Sequence, residues 1–239
     1  MTTDIHPSQH EAATIVADIH AQIPKTLPAL TPAELEAKEL ADRELTMALV
    51  RANRINDNLA RWKAACPTGL QESNWDDPRL AHFRPHIDKI LGYQLGERGI
   101  LASGPTGRGK SRAMWQLMRR LSSQGHDIRL WTSAEWFNTL QRQINYGRDE
   151  AAGWVEASAR RQIVFFDDLG QESVALSKEA WSAAWFFRFL DIRVGECLPF
   201  FATTNLSADV MASRSGSIRS DPLIRRLLEI CNPIPFETD

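Results

Sequence analysis

Gly99-Ile100-Leu101-Ala102-Ser103-Gly104-Pro105-Thr106-Gly107-Arg108-Gly109-Lys110-Ser111 is a short apolar run that passes into a glycine-rich turn and ends in lysine and serine. Residues 104–111 fit G-x-x-x-x-G-K-[ST]. In that pattern glycines turn backbone N–H groups toward a β-phosphate, lysine reaches the β/γ oxygens, and the serine hydroxyl is offered to Mg²⁺. A helix starting at about Lys110 adds its positive end to the same anion. The position of the motif, between a strand and a helix, is the context it needs. The candidate phosphate-binding residues are Gly104, Pro105, Thr106, Gly107, Arg108, Gly109, Lys110, Ser111 and Arg112, with Ser111 on the metal.

Such a site needs an acid at the end of a buried strand. Ile163 to Phe166 followed by Asp167-Asp168 supplies it, 56 residues after Ser111. Asp167 is the candidate for the Mg²⁺ shell, and Asp168 for polarising the attacking water. An aspartate has one methylene less reach than glutamate, so slow hydrolysis is expected. A Walker-B aspartate pair can also serve mainly in metal binding, which is the alternative for Asp168. Phe200-Phe201-Ala202-Thr203-Thr204-Asn205 is a third signal: an apolar strand ending in a polar cluster, where Asn205 can orient the hydrolytic water.

Working outward, the pattern from residue 80 alternates strand with helix. A helix is expected at 80–95, then strands at 99–103, 128–132, 163–166, 199–203 and 233–236. Between them lie helices to about 123 and over about 133–160, 177–194 and 221–230. Five strands separated by helices predict an α/β fold, a parallel sheet covered on both faces. Residues 1–65 differ in texture. Ser8 and Glu11 have capping-box spacing before Ile15, Val16, Ile19 and Ile23, which predicts a short helix over 8–23. Thr31, Pro32 and Glu34 then open a longer helix. Its seam, Ala41, Leu45, Ala48, Ala52, Ile55, Leu59 and Trp62, recurs at spacings of four and three. That seam suits either a helix packed on its own domain or an element for binding a partner or a second copy. The expected organisation is a helical partner-binding domain at 1–65, a connecting segment with a helix at 66–98, and an ATPase core at 99–239.

Composition sets the outer limits. The 239 residues are 43% hydrophobic and 24% charged, which excludes wholesale disorder. Twenty-eight basic residues face 30 acids, a net charge of -2, so any DNA contact must come from a local patch. Residues 1–98 hold 11 basic and 14 acidic residues, a mildly acidic front. No apolar run reaches membrane-spanning length and no signal segment opens the chain, so no membrane role is expected. Cys66, Cys197 and Cys231 lie far apart with no CxxC pair, which argues against a zinc ribbon or disulfide scaffold and for a reducing cytoplasm. Cys66 has no base near it in sequence to make it a nucleophile.

Three segments, GPTGRGKS at 104–111, FFDDLGQE at 165–172 and FFATTNLS at 200–207, resemble AAA+ ATPases of the bacterial helicase-loader and transposition-helper clade, the DnaC/DnaI/IstB type. The segment Ile224-Arg225-Arg226-Leu227-Leu228-Glu229 is similar to that clade's arginine-leucine box. The likeness spans roughly residues 66–239. It implies an AAA+ P-loop core with Lys110 and Ser111 as Walker A, Asp167 and Asp168 as Walker B, and Asn205 as sensor I. It also implies self-assembly, with an arginine acting on a neighbouring subunit's γ-phosphate. Arg226 matches the box best, with Arg225 and Arg219 as rivals. The sequence stops three residues after Phe236, so the helical lid is expected to be absent or minimal.

The function implied is an ATP-dependent loader of a hexameric replicative helicase, phage or mobile-element encoded. In that reading the front helices grip the helicase, and the core self-assembles and holds single-stranded DNA. An IstB-like transposition helper on duplex DNA is the second reading. A nucleotide-binding adaptor without turnover is the third, and a P-loop small-molecule kinase fits less well beside the paired aspartates. Trp136, Phe137, Arg142, Tyr146, Arg148 and Trp154 interleave aromatics with arginines. Arg142, Tyr146 and Arg148 are the candidates for single-stranded DNA, and Trp136 and Phe137 are expected beneath the sheet. Trp181, Trp185, Phe186 and Phe189 recur at helical spacing as core. His82 and His86 have the spacing of metal ligands, but Pro85 interrupts them and no third ligand is evident.

Overall fold

The computed structural model describes residues 31–72, 75–169, 180–206 and 222–237. The helix expected over 8–23 and the rival finger Arg219 lie outside the described residues. Helix α1 spans Pro32–Ala65 and α2 Thr68–Gln71; a 3₁₀ turn at Pro78–Phe83 runs into α3, Arg84–Leu91. The sheet and its crossovers follow: β1 Gly99–Ser103, α4 Lys110–Ser123, β2 Ile128–Thr132, α5 Ser133–Tyr146, α6 Arg148–Ala159, β3 Ile163–Leu169, α7 Ala180–Gly195, β4 Phe200–Thr204, α8 Pro222–Ile230 and β5 Cys231–Pro235.

All five strands are parallel, in the order β2-β3-β4-β1-β5. Parallel strands need long crossovers, and here helices supply them and cover both faces. Side chains alternate between two cores. Ile100, Ala102, Phe165 and Phe201 face α3 and α4, while Leu101, Val164, Phe166 and Phe200 face α5, α6 and α7. Trp136 is fully buried in the second core against Phe166, Phe186 and Phe189. Phe137 is half-buried beside it, so both take the place expected beneath the sheet. The expected strands stand to within a few residues; β3 runs on through Asp167 and Asp168 to Leu169, and β5 starts earlier, at Cys231.

The opening of α1 follows the sequence closely. Thr31 N–H donates to Glu34 Oε2 at 2.8 Å, and Glu34 N–H donates to Thr31 Oγ1 at 3.3 Å, a reciprocal capping box. The seam is covered only in its second half: Asn58 and Trp62 are buried and Ile55 and Leu59 half-buried, whereas Leu45 is 60% exposed. The chain divides into two compact units between Leu49 and Val50, not at residue 65. Two hydrogen bonds explain why the later half of α1 belongs to the larger unit. Asn58 Nδ2 donates to the His126 carbonyl at 2.7 Å, and the Trp62 indole donates to the Trp115 carbonyl at 2.8 Å.

The segment expected to connect the domains is packed rather than free. Cys66, Leu80, Phe83, Ile87, Ile90 and Tyr93 all enter the core on the α4 side. Instead of one helix over 80–95, Pro78 and Pro85 leave a 3₁₀ turn followed by an eight-residue helix. Among the described residues no helix is long and apolar enough to cross a membrane.

At the opposite end of the sheet from the glycine-rich turn, Arg193 is fully buried, and among the described residues no carboxylate is bonded to it. Its guanidinium donates to the carbonyls of Ala159 at 2.7 Å and Arg161 at 2.8 Å, and to those of Gln162 and Pro199. One side chain thus ties the end of α6 to the approaches of β3 and β4.

Candidate nucleotide site

In an open parallel sheet ligands bind beyond the carboxyl ends of the strands. Here β1, β3 and β4 deliver the glycine-rich loop, the aspartate pair and Asn205 to one end of adjacent strands. These groups line a single cleft of about 390 Å³.

The loop is shaped by three glycines with positive φ: Gly104 at 118°, Gly107 at 79° and Gly109 at 88°. At Gly104 the demand is steric as well, because a Cβ would stand 2.6 Å from the Phe236 carbonyl oxygen. Arg108 braces the loop from the other side. Its guanidinium donates to the same Phe236 carbonyl at 2.6 Å and lies 5.1 Å from the centre of the Phe83 ring.

Lys110 opens α4 and is buried at 5% exposure. Its ammonium donates to the carbonyls of Gly104 at 2.6 Å and Pro105 at 2.7 Å, and reaches Asn205 Oδ1 at 3.4 Å. Burial pulls its pKa down, and the neighbouring Asp168 carboxylate opposes that pull. Ser111 and Arg112 line the same cleft.

The aspartates are placed by a backbone irregularity. In a regular strand neighbouring residues point to opposite faces. The β3–β4 register shifts between Phe166 and Leu169, and Asp168 takes a left-handed φ of 63°. Aspartate tolerates that region better than most residues. Both carboxylates can therefore line one cleft. Thr203 on β4 holds the turn: its hydroxyl donates to Asp167 Oδ1 at 2.6 Å and accepts the Asp168 N–H at 2.8 Å. Asn205 Nδ2 donates to Asp168 Oδ1 at 2.9 Å. Its amide thus turns oxygen toward Lys110 and N–H toward Asp168, as the two charges require.

The donor set suits Mg²⁺. A hydroxyl and a carboxylate in one cleft match an ion that keeps several waters and takes its remaining ligands from phosphates. Groups of three or more metal-ligating side chains are absent among the described residues, which such an ion does not need.

Three contributions were not foreseen from the sequence. Thr203 carried a signal, since it lies two residues before Asn205 on one strand. Trp115, whose indole N–H donates to Asp167 Oδ2 at 2.7 Å, carried none. The wall formed by Leu70, Asp77, Arg79 and Leu80 comes from the segment expected only to connect. Asp77 caps the 3₁₀ turn through the Arg79 N–H at 3.0 Å, and the Arg79 side chain bonded to it holds its carboxyl down at about 2. Cys66 adjoins this region as a thiol: burial, then the Asp167 charge, push it up to about 11.

The arginine-leucine box lies elsewhere. Arg226 donates to Glu229 at 2.7 Å and pairs with Asp191 at 2.8 Å, whereas Arg225 is more exposed and stands 3.8 Å from Glu229. Neither lines the phosphate cleft of its own chain. The DNA candidates are exposed: Tyr146 at 79%, with Arg142 and Arg148 on the same surface elements. Arg148 lines a second, larger cavity of about 510 Å³ between α5 and α7, together with Trp185 and Arg188. That cavity shares no lining residue with the cleft.

No protein-family model matches the chain, and no curated protein matches it. Solved structures do. The chain is similar to the DnaC helicase loader at a TM-score of 0.52 and 16% identity, over 73% of this chain and 97% of that one. It is similar to DnaI at a TM-score of 0.50 and 19% identity, over 71% and 88%. A replication initiator, DnaA bound to AMPPCP and single-stranded DNA, aligns at a TM-score of 0.51 and 12% identity, over 66% of this chain and 46% of that one. At these identities the likeness is one of fold: the parallel sheet and its crossover helices are shared with the DnaC helicase loader, DnaI and DnaA.

Proposed function

We propose that this chain is a replicative-helicase loader driven by ATP. What supports nucleotide binding most directly is the arrangement of Lys110, buried against its own loop carbonyls and facing Asp167, Asp168 and Asn205 across one cleft. An arriving phosphate exchanges neutral carbonyl acceptors for charged oxygens around the ammonium, and the loop N–H groups of residues 104–109 complete the cradle. Ser111 and Asp167 would hold Mg²⁺, which would supply charge neutralisation to the bound phosphates. Asp168 and Asn205 share the hydrogen bond that would orient a water for attack, and the short reach of Asp168 favours slow turnover. ATP then acts chiefly as a switch that orders a subunit interface.

The loader reading over a general ATPase is supported by the fold shared with a protein described as a helicase loader, and by the front helix. Leu35, Leu40, Leu45, Met47 and Leu49 are all about half exposed or more, in keeping with a surface that a helicase covers. Single-stranded DNA would lie along Arg142, Tyr146 and Arg148 in the assembled core, and the chain would work in the cytoplasm beside the replication machinery of a phage or mobile element.

The test is native mass spectrometry of the chain with the replicative helicase of its source in the presence of ATP. A defined complex that disappears on deletion of residues 1–49 is expected. The deletion stops there because Asn58 and Trp62 belong to the core unit. Assembly on duplex DNA without a helicase complex would favour the transposition helper. A nucleotide-bound protein showing no single-turnover hydrolysis would be the adaptor.

Arg226 is the proposed trans finger, held out from α8 by Asp191 and Glu229. Arg226→Ala will leave ATP affinity within about twofold, since its ion pairs with Asp191 and Glu229 lie at the surface and contribute little to the fold. It will remove the stimulation of hydrolysis that accompanies assembly, a loss of about 10³-fold. Stimulation that survives in Arg226→Ala but fails in Arg225→Ala would move the role to Arg225.

A further inference from the structure

We infer that Trp115 is a positioning residue for Asp167, fixing the carboxylate that serves the metal side of the nucleotide site. The inference rests on the Mg²⁺–nucleotide reading of the cleft given above.

Trp115 stands in the second turn of α4, 1% exposed, with its ring edge-on to Phe165 at 5.2 Å between centres. An indole has one polar atom, and when buried it needs an acceptor. Here the acceptor is Asp167 Oδ2 at 2.7 Å, while Thr203 Oγ1 donates to Oδ1 at 2.6 Å. Two donors on different oxygens fix both the plane and the rotation of the carboxylate, and each oxygen keeps a lone pair for a metal-bound water. The bond is charge-assisted and lies in a dry region, where such bonds are strong.

Trp115 is itself held, because its carbonyl accepts the Trp62 indole N–H at 2.8 Å. An aliphatic residue at 115 would fill part of the same volume but leave Oδ2 without its donor. The freed carboxylate would then be drawn toward Lys110, whose ammonium already feels both aspartates. The Walker-A helix therefore supplies two things to the site: Lys110 and Ser111 at its tip, and from its second turn a donor that sets the acid opposite them.

The experiment measures affinity for a fluorescent ATP analogue in Mg²⁺ and in EDTA. Trp115→Phe keeps an aromatic ring against Phe165 and removes the N–H. The Mg²⁺-dependent gain in affinity is expected to fall by about tenfold, the lower end for loss of an outer-shell partner, with affinity in EDTA retained. An undiminished gain would overturn the proposal. Wild-type protein that binds the analogue equally well with and without Mg²⁺ would overturn the metal reading itself, and the proposal with it.

A second readout needs no change at position 115, in case the variant folds poorly. The chain has eight tryptophans, hence eight indole N–H resonances. The resonance displaced by Asp167→Asn should also shift when Mg²⁺ is added to the nucleotide-saturated wild type. A resonance that ignores the metal would overturn the proposal.

Discussion

Lys110→Ala will lower ATP affinity by at least about 100-fold, from the loss of two charge-assisted hydrogen bonds to phosphate worth about 1.5–3 kcal/mol each. The ammonium is placed for that role before any ligand arrives. It sits on two loop carbonyls, Gly104 and Pro105, and beside the side-chain amide of Asn205. Among the described residues no other lysine lines the cleft, and Arg108, the arginine of the loop, donates to the Phe236 carbonyl. Stability should change little. Burying the ammonium costs desolvation that the two carbonyl bonds largely offset, so removing all of these leaves a net effect of about 1 kcal/mol. Titration with a fluorescent nucleotide, alongside urea unfolding, separates the two effects. Normal affinity in a folded Lys110→Ala protein would sink the assignment of the site.

The largest stability effect belongs to Arg193, far from the chemistry. Arg193→Met will destabilise the protein by about 4 kcal/mol, because it leaves buried carbonyls without donors at about 1–3 kcal/mol each. Four carbonyls on three elements share this one guanidinium, and among the described residues no second cation bonds to them. Burial pushes its pKa down to about 9, so the group still carries its charge at neutral pH. Arg193→Lys should recover only part of the loss, since a single ammonium cannot span the positions a planar fork reaches. Urea denaturation midpoints at pH 7 test this. A midpoint for Arg193→Met equal to wild type would show that the carbonyls find other donors.

What could be read from the sequence was local. The phosphate loop, the aspartate pair and the Asn205 strand end each occupy fewer than ten consecutive residues. Their order along the chain was enough to indicate a parallel sheet with its functional ends together. The connections that hold the site escaped because they join distant positions: Trp115 to Asp167, Thr203 to Asp167, Arg108 to Phe236. The left-handed turn at Asp168 escaped as well, since it depends on Thr203 accepting its N–H across the sheet. In α1 the seam misled for a physical reason. Heptad spacing marks which residues share a stripe, not how far along it a partner reaches, and the core covers the stripe only from Ile55 onward. The connecting segment likewise carried no motif, yet its Leu70, Asp77, Arg79 and Leu80 build a wall of the cleft.

The attachment at Phe236 has a mechanical side. Its N–H donates to the Ser103 carbonyl at 2.7 Å, its own carbonyl receives Arg108, and its ring stacks on Phe83 at 5.8 Å. The last strand and the phosphate loop therefore share a strut at the point where β1 ends. A load applied along β5 is transmitted within one residue to both ends of the loop, Gly104 and Arg108, with little slack to absorb it. Tension at that end of the chain should be felt as a change in the grip on phosphate, so single-molecule pulling through residue 236 would register nucleotide as a shift in rupture force.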